Sequence, residues 1–164
     1  MAPQQKTFLT LVATAVVAYG AGTYILGLRG PLDALGAAAG TESKTLEFGG
    51  RRRTYLVHSP KGYDGKAPLA LVLVLHGAVQ GATNVERMSG MSAEADKEKF
   101  LVAYPNGTSR SGWAPTWNAG ACCGYAQTNK VDDVGFLRAL IDKLEHDYTV
   151  DPKRIFATGF RMGG

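Results

Sequence analysis

Leu69 to Gly77 reads LALVLVLHG, and this stretch decides the fold. The apolar run follows a loop rich in glycine and proline, KGYDGKAP at 61–68, and ends in His76-Gly77. An apolar run with no polar alternate is a strand covered on both faces, as in a parallel sheet. Working outward, FLVAYPNG (100–107) is a second such strand, stopped by Pro105 and Gly107. DPKRIFATG (151–159) is a turn followed by a third. Between these two, Val131, Val134, Leu137, Leu140, Ile141 and Leu144 recur at three- and four-residue spacing and predict one face of a helix. Asp132 and Asp133 open it, where the helix dipole favours negative charge, so capping is their expected work. A further helix is expected from Asn84, as N-cap, to about Lys99. Upstream, KTLEFGGRRRTYLVHSP (44–60) places two alternating runs around Gly49-Gly50, a hairpin signal. Strands alternating with helices predict an α/β fold. The expected sheet is five-stranded and mostly parallel, with an antiparallel N-terminal hairpin. Leu69–Leu75, Phe100–Tyr104 and Ile155–Thr158 are its expected central strands.

A chain of 164 residues has room for one domain with a real core. Its formal charge is only +4, and the one basic cluster, Arg51-Arg52-Arg53, runs straight into Thr54 and Tyr55. That pattern reads as a solvated turn, and no nucleic-acid partner is expected. The two cysteines, Cys122 and Cys123, are adjacent. They have neither zinc-knuckle nor CxxC spacing, so no metal and no cofactor is expected. A bond between them would be strained, which predicts pairing only with partners outside the chain. From Thr7 to Leu28 no residue is charged, enough to span roughly 30 Å of hydrocarbon as a helix. The same stretch fits a secretory signal, and both readings stay open. The expected organisation is a signal peptide or membrane anchor at 1–30, a linker at 31–43 and a folded domain at 44–164.

The third strand delivers the chain to Gly159-Phe160-Arg161-Met162-Gly163. This is the frame of a nucleophile elbow, G-x-S-x-G, with arginine at the centre. A guanidinium stays protonated and has no lone pair to offer, so Arg161 is no nucleophile, and its bulk would fill the oxyanion site. Oxyanion donors are expected from the Ala78 and Met162 amides. His76 and Gly77 shape the first of these turns, and Gly159 and Gly163 the second. His76 reads as structural or oxyanion-side, while His58 and His146 read as surface or half-buried. GACCG (120–124) formally fits a cysteine elbow, but no apolar strand leads into it. Trp113, Trp117 and Tyr125 either line a substrate surface or pack their loop down.

Taken together, LVLHG (73–77), YPNG (104–107), WNAGACCG (117–124), VDDVGFLRALID (131–142) and DPKRIFATGF-MGG (151–164) carry a resemblance. From about Lys44 to Gly164 the chain resembles the N-terminal half of an α/β-hydrolase of the polyhydroxybutyrate depolymerase and feruloyl esterase type. The resemblance implies a secreted, metal-free carboxylic-ester hydrolase acting on polyesters or acylated plant polysaccharides. It implies a serine where Arg161 stands, with acid and base later in the chain. The sequence stops at Gly164, so the expectation is a fragment inactive as written, secreted or periplasmic, or anchored through residues 7–28. The alternative is a non-catalytic module on the same fold that binds an aromatic or glycan ligand. Ile155–Thr158 is further expected to be an uncovered edge, with Leu71, Val72 and Val74 losing part of their cover.

Overall fold

The computed structural model describes residues 37–122 and 124–164. The expected signal or anchor, Thr7–Leu28, lies outside the described residues. Among the described residues no helix is long and apolar enough to cross a membrane.

Strands β1 (Thr41–Phe48) and β2 (Arg51–His58) form the predicted antiparallel hairpin. Phe48 pairs with Arg51, leaving a two-residue loop in which Gly49 and Gly50 both have positive φ, 57° and 68°. Only this mirror-image turn matches the twist of the strands it joins, and glycine supplies it at little steric cost. β3 (Leu69–Leu75) falls on the predicted residues, followed by α1 (Ala82–Ser89), α2 (Met91–Glu98) and β4 (Leu101–Pro105). A short α3 (Gly124–Thr128), the long α4 (Asp133–Asp147) and β5 (Val150–Gly159) complete the regular elements. The five strands lie in the order β1-β2-β4-β3-β5. β2 runs antiparallel to β4, while β3 is parallel to both β4 and β5.

The period of two along β3 divides the core. Leu69, Leu71, Leu73 and Leu75 join Phe136, Leu140 and Leu144 of α4 on one face. Val74 and, partly buried, Val72 meet Ala82 and Val85 of α1 and Ala95 of α2 on the other. Burying a large aliphatic or aromatic side chain contributes about 1.5–3 kcal/mol, so the three α4 anchors alone supply about 6 kcal/mol. Leu71 and Val74 are buried, against the expectation that they would lose cover; Val72 is half-buried. β5 is an edge of the described sheet, as expected of an uncovered Ile155–Thr158, and not the central strand its apolarity suggested. Phe156 on it is 56% exposed.

Several boundaries move. The expected single helix from Asn84 to Lys99 is two, broken at Gly90, whose φ of 65° caps α1 and starts α2. Asn84 is not the N-cap. Gly81 is, and the Ala82 amide is satisfied by Asn106 Oδ1 at 2.7 Å. On α4, Val134 is 60% exposed rather than on the apolar face, and Val131 precedes the helix; Phe136, absent from the expected face, joins the expected Leu140 and Leu144 in the core. The fold also begins before Lys44, since β1 starts at Thr41. Thr41 donates to Glu86 Oε1 at 2.6 Å and bonds His58 Nδ1 at 2.9 Å, and His58 Nε2 lies 3.1 Å from Asp96 Oδ1. His58, expected near the surface, is therefore buried, a strap between the hairpin and α2.

Candidate active site

The C-terminal ends of β3 and β5 lie side by side because Leu75 pairs with Gly159. The Phe160 amide then donates to Leu75 O at 3.1 Å, turning the chain sharply out of the sheet. Arg161 follows with φ of 54°, and Arg161–Gly163 forms one tight helical turn. A non-glycine residue held left-handed between a strand and a helical turn is the conformation expected of an elbow. The flanking glycines are required by space. A Cβ on Gly159 would overlap the Gly163 carbonyl, and one on Gly163 would lie 2.7 Å from both Leu75 O and His76 O. The frame is intact in shape, with arginine at its apex. The Arg161 side chain is exposed, its guanidinium carbon 5.4 Å from the centre of the Phe160 ring.

Opposite the elbow, Gly77 packs against Phe160, where an added Cβ would stand 3.0 Å from Cδ1 and 3.2 Å from the carbonyl oxygen. His76 explains how this turn is held. Its Nδ1 donates to Gly77 O at 2.7 Å and its Nε2 accepts from the Gly107 amide at 2.9 Å. Each nitrogen has one role, which fits the neutral ring, and burial pulls the His76 pKa below its ordinary value. The ring also lies 5.0 Å from that of Trp117, whose Nε1 donates to His76 O at 2.9 Å. Trp117 is thus a buried strut. Ala78 and Met162, the expected oxyanion donors, are half-buried in their turns on either side of this junction. Tyr125 sits on α3 rather than in a loop, with the Arg51 guanidinium 5.8 Å from its ring.

Sequence reasoning missed the polar support beneath the site. Arg53, expected in a solvated turn, is 3% exposed and pairs through Nη2 with Asp133 Oδ1 at 2.8 Å. Asp133 is therefore no simple cap; Asp132 is, accepting from the Gly135 amide at 2.8 Å. The second Asp133 oxygen accepts from the Asn118 amide at 2.8 Å, and Arg53 also donates to Asn106 O at 3.0 Å. Burial lowers the Arg53 pKa, and the Asp133 charge opposes that shift. This pair locks β2, the segment after β4 and α4 under the loops that carry Trp113 and Trp117. A basic residue placed inward on a strand, followed far downstream by an acidic pair at a helix start, was the available signal.

Cys122 is disulfide-bonded, which takes it out of the running as a nucleophile. Cys123 lies outside the described residues. Among the described residues no group of three metal-ligating side chains comes together. A cleft of about 660 Å³ lies beside the elbow's opposing turn, with Gln80, Asn84, Thr108 and the 83%-exposed Trp113 on its wall. Arg161 is not part of that wall.

No protein-family model matches the chain. It is 34% identical to feruloyl esterase B of Piromyces equi over 68% of its own length and 20% of the relative's. It is 29% identical to poly(3-hydroxyalkanoate) depolymerase C of Paucimonas lemoignei, over 65% and 24% respectively. The solved ferulic acid esterase of Anaeromyces mucronatus superimposes with a TM-score of 0.55 at 18% identity, over 75% of this chain and 49% of that one. The chain thus spans half or less of the length of each of these proteins.

Proposed function

We propose, for a chain of α/β-hydrolase fold of the feruloyl esterase and polyhydroxybutyrate depolymerase type, that the 164 residues form the elbow-bearing part of a carboxylic-ester hydrolase in which Arg161 has removed the nucleophile. The substrates of such an enzyme are polyesters or acylated polysaccharides, and the setting is outside the cytoplasm. The observation that carries this reading is the elbow itself. Arg161 keeps the left-handed backbone, and Gly159 and Gly163 keep the close approach, that a strand-turn-helix nucleophile needs. Nothing else about the geometry calls for an arginine in a strained conformation. Arginine offers no attacking lone pair, so the chain hydrolyses no ester.

The exposed Trp113 on a cleft separate from Arg161 favours a second reading, a module that binds an aromatic or glycan ligand. The experiment for the first reading is p-nitrophenyl butyrate hydrolysis by the 164-residue chain. No rate above the buffer blank is expected. Turnover that disappears in Arg161→Ala would overturn the assignment of this position.

A further inference from the structure

The cleft beside the turn that follows β3 is set apart by the charge on its wall. Arg51 and Arg52 stand on its wall together with the buried Arg53. Arg53 is matched by Asp133, but no aspartate or glutamate lines the cleft, and neither Arg51 nor Arg52 has an ion-pair partner among the described residues. The N-terminus of α1 opens onto the same space through Gly81, Thr83 and Asn84. It has no acidic residue in its first turn and its N-cap is Gly81, so apart from the Ala82 amide, which Asn106 Oδ1 satisfies, its positive end adds to the arginines. The charged side chains on the cleft wall are thus all positive, and Arg51 and Arg52 are the ones not paired with a carboxylate among the described residues.

A second observation is independent of charge. Among the described residues, buried side-chain polar atoms without a hydrogen-bond partner include Arg53 Nε, Gln80 Oε1 and Thr108 Oγ1, and all three residues line this cleft. Thr108 is 9% exposed and Arg53 3%. Buried polar atoms normally find partners, and leaving several unmet in one place marks a spot where something else supplies them. A hydroxyl-rich ligand offers both donors and acceptors. Trp113 at the rim presents a free ring face, on which the C–H face of a sugar or an aromatic ring packs.

We infer that this cleft binds an acidic saccharide, its carboxylate on Arg51, Arg52 and the start of α1 and its ring against Trp113. The inference rests on the binding reading of the cleft. It does not rest on the elbow, because Arg161 is not on the wall. An active result in the ester assay therefore leaves it standing, and absence of saccharide binding leaves the hydrolase kinship standing.

The test is calorimetric titration of the 164-residue chain with trigalacturonate, xylotriose and sodium benzoate at low and at 0.5 M salt. Trigalacturonate is expected to bind at least tenfold tighter than either control and to weaken several-fold with salt, because salt screens a charge contact made at a solvent-exposed arginine. Arg52→Gln and Trp113→Ala, both at exposed positions, are each expected to weaken it at least fivefold with unchanged circular dichroism. Thr108→Val should weaken it through the lost hydroxyl. Equal binding of xylotriose, preferred binding of benzoate, no binding of any ligand, or full binding by Arg52→Gln would each overturn the inference.

Discussion

Replacing Asp133 by alanine removes the one carboxylate paired with the buried Arg53 among the described residues and strands its guanidinium charge. Two contacts are lost at once: the 2.8 Å ion pair and the 2.8 Å bond from the Asn118 amide. Breaking one partner of a buried pair costs about 3–5 kcal/mol, most of it the stranded charge. The unmet Asn118 amide adds about 1 kcal/mol. A total near 5 kcal/mol is a large share of the roughly 5–15 kcal/mol that stabilises a domain. With a urea slope of about 2 kcal/mol/M, the midpoint should fall by about 2.5 M. The assay is urea unfolding followed by circular dichroism and by tryptophan emission in parallel, since Trp117 sits beside the pair's anchor at Asn118. The double variant Asp133→Leu with Arg53→Met is the counterpart, and it should recover most of the loss because no buried charge remains. A midpoint shift under 0.5 M for Asp133→Ala, or a double variant less stable than the single, would refute the claim that this pair holds the loops to the sheet.

Three other outcomes follow from particular residues. Gly163→Ala puts a Cβ at 2.7 Å from Leu75 O and His76 O, and thermal unfolding should show it destabilised by about 1–3 kcal/mol. Arg161→Gly relieves a left-handed arginine at φ 54°, so the same measurement should show a gain of about 0.5–1 kcal/mol, net of the added chain entropy. Asp96 is held at about 2, below its ordinary 3.8, first by the Lys61 amide at 2.8 Å and then by His58 and Lys61. A depressed carboxylate stabilises above its unfolded pKa and stops doing so as pH falls through the folded one. Stability of the parent should therefore drop between pH 4 and 2, and Asp96→Asn should flatten that limb of the curve.

The buried strands were legible because nothing else produces unbroken runs such as Leu69–Leu75, and the hairpin because Gly49-Gly50 admits one turn. The elbow was legible from glycine spacing alone, and the reason is steric: neither Gly159 nor Gly163 has room for a Cβ. The break at Gly90 was hidden because Asn84–Lys99 has continuous helical composition, and local propensity does not register a left-handed cap. Charge was read worst. Arg53, Asp133 and His58 sit in stretches that look solvated, and their burial depends on partners 80, 80 and 38 residues away. Such pairing is a tertiary property with no local period. Trp113 and Trp117 look alike in sequence, yet the first is exposed and the second buried, because only Trp117 finds the His76 carbonyl.

If the elbow keeps its shape and lacks its chemistry, as proposed, Arg161→Ser should not restore ester hydrolysis. A serine there needs a base. His76 has both nitrogens engaged by Gly77 and Gly107, His58 is held between Thr41 and Asp96, and His146 is on the exposed side of α4. The initial rate of p-nitrophenyl acetate hydrolysis by Arg161→Ser in the 164-residue chain should equal that of Arg161→Ala, both at the buffer blank. Saturable turnover by Arg161→Ser that Arg161→Ala lacks would contradict the account.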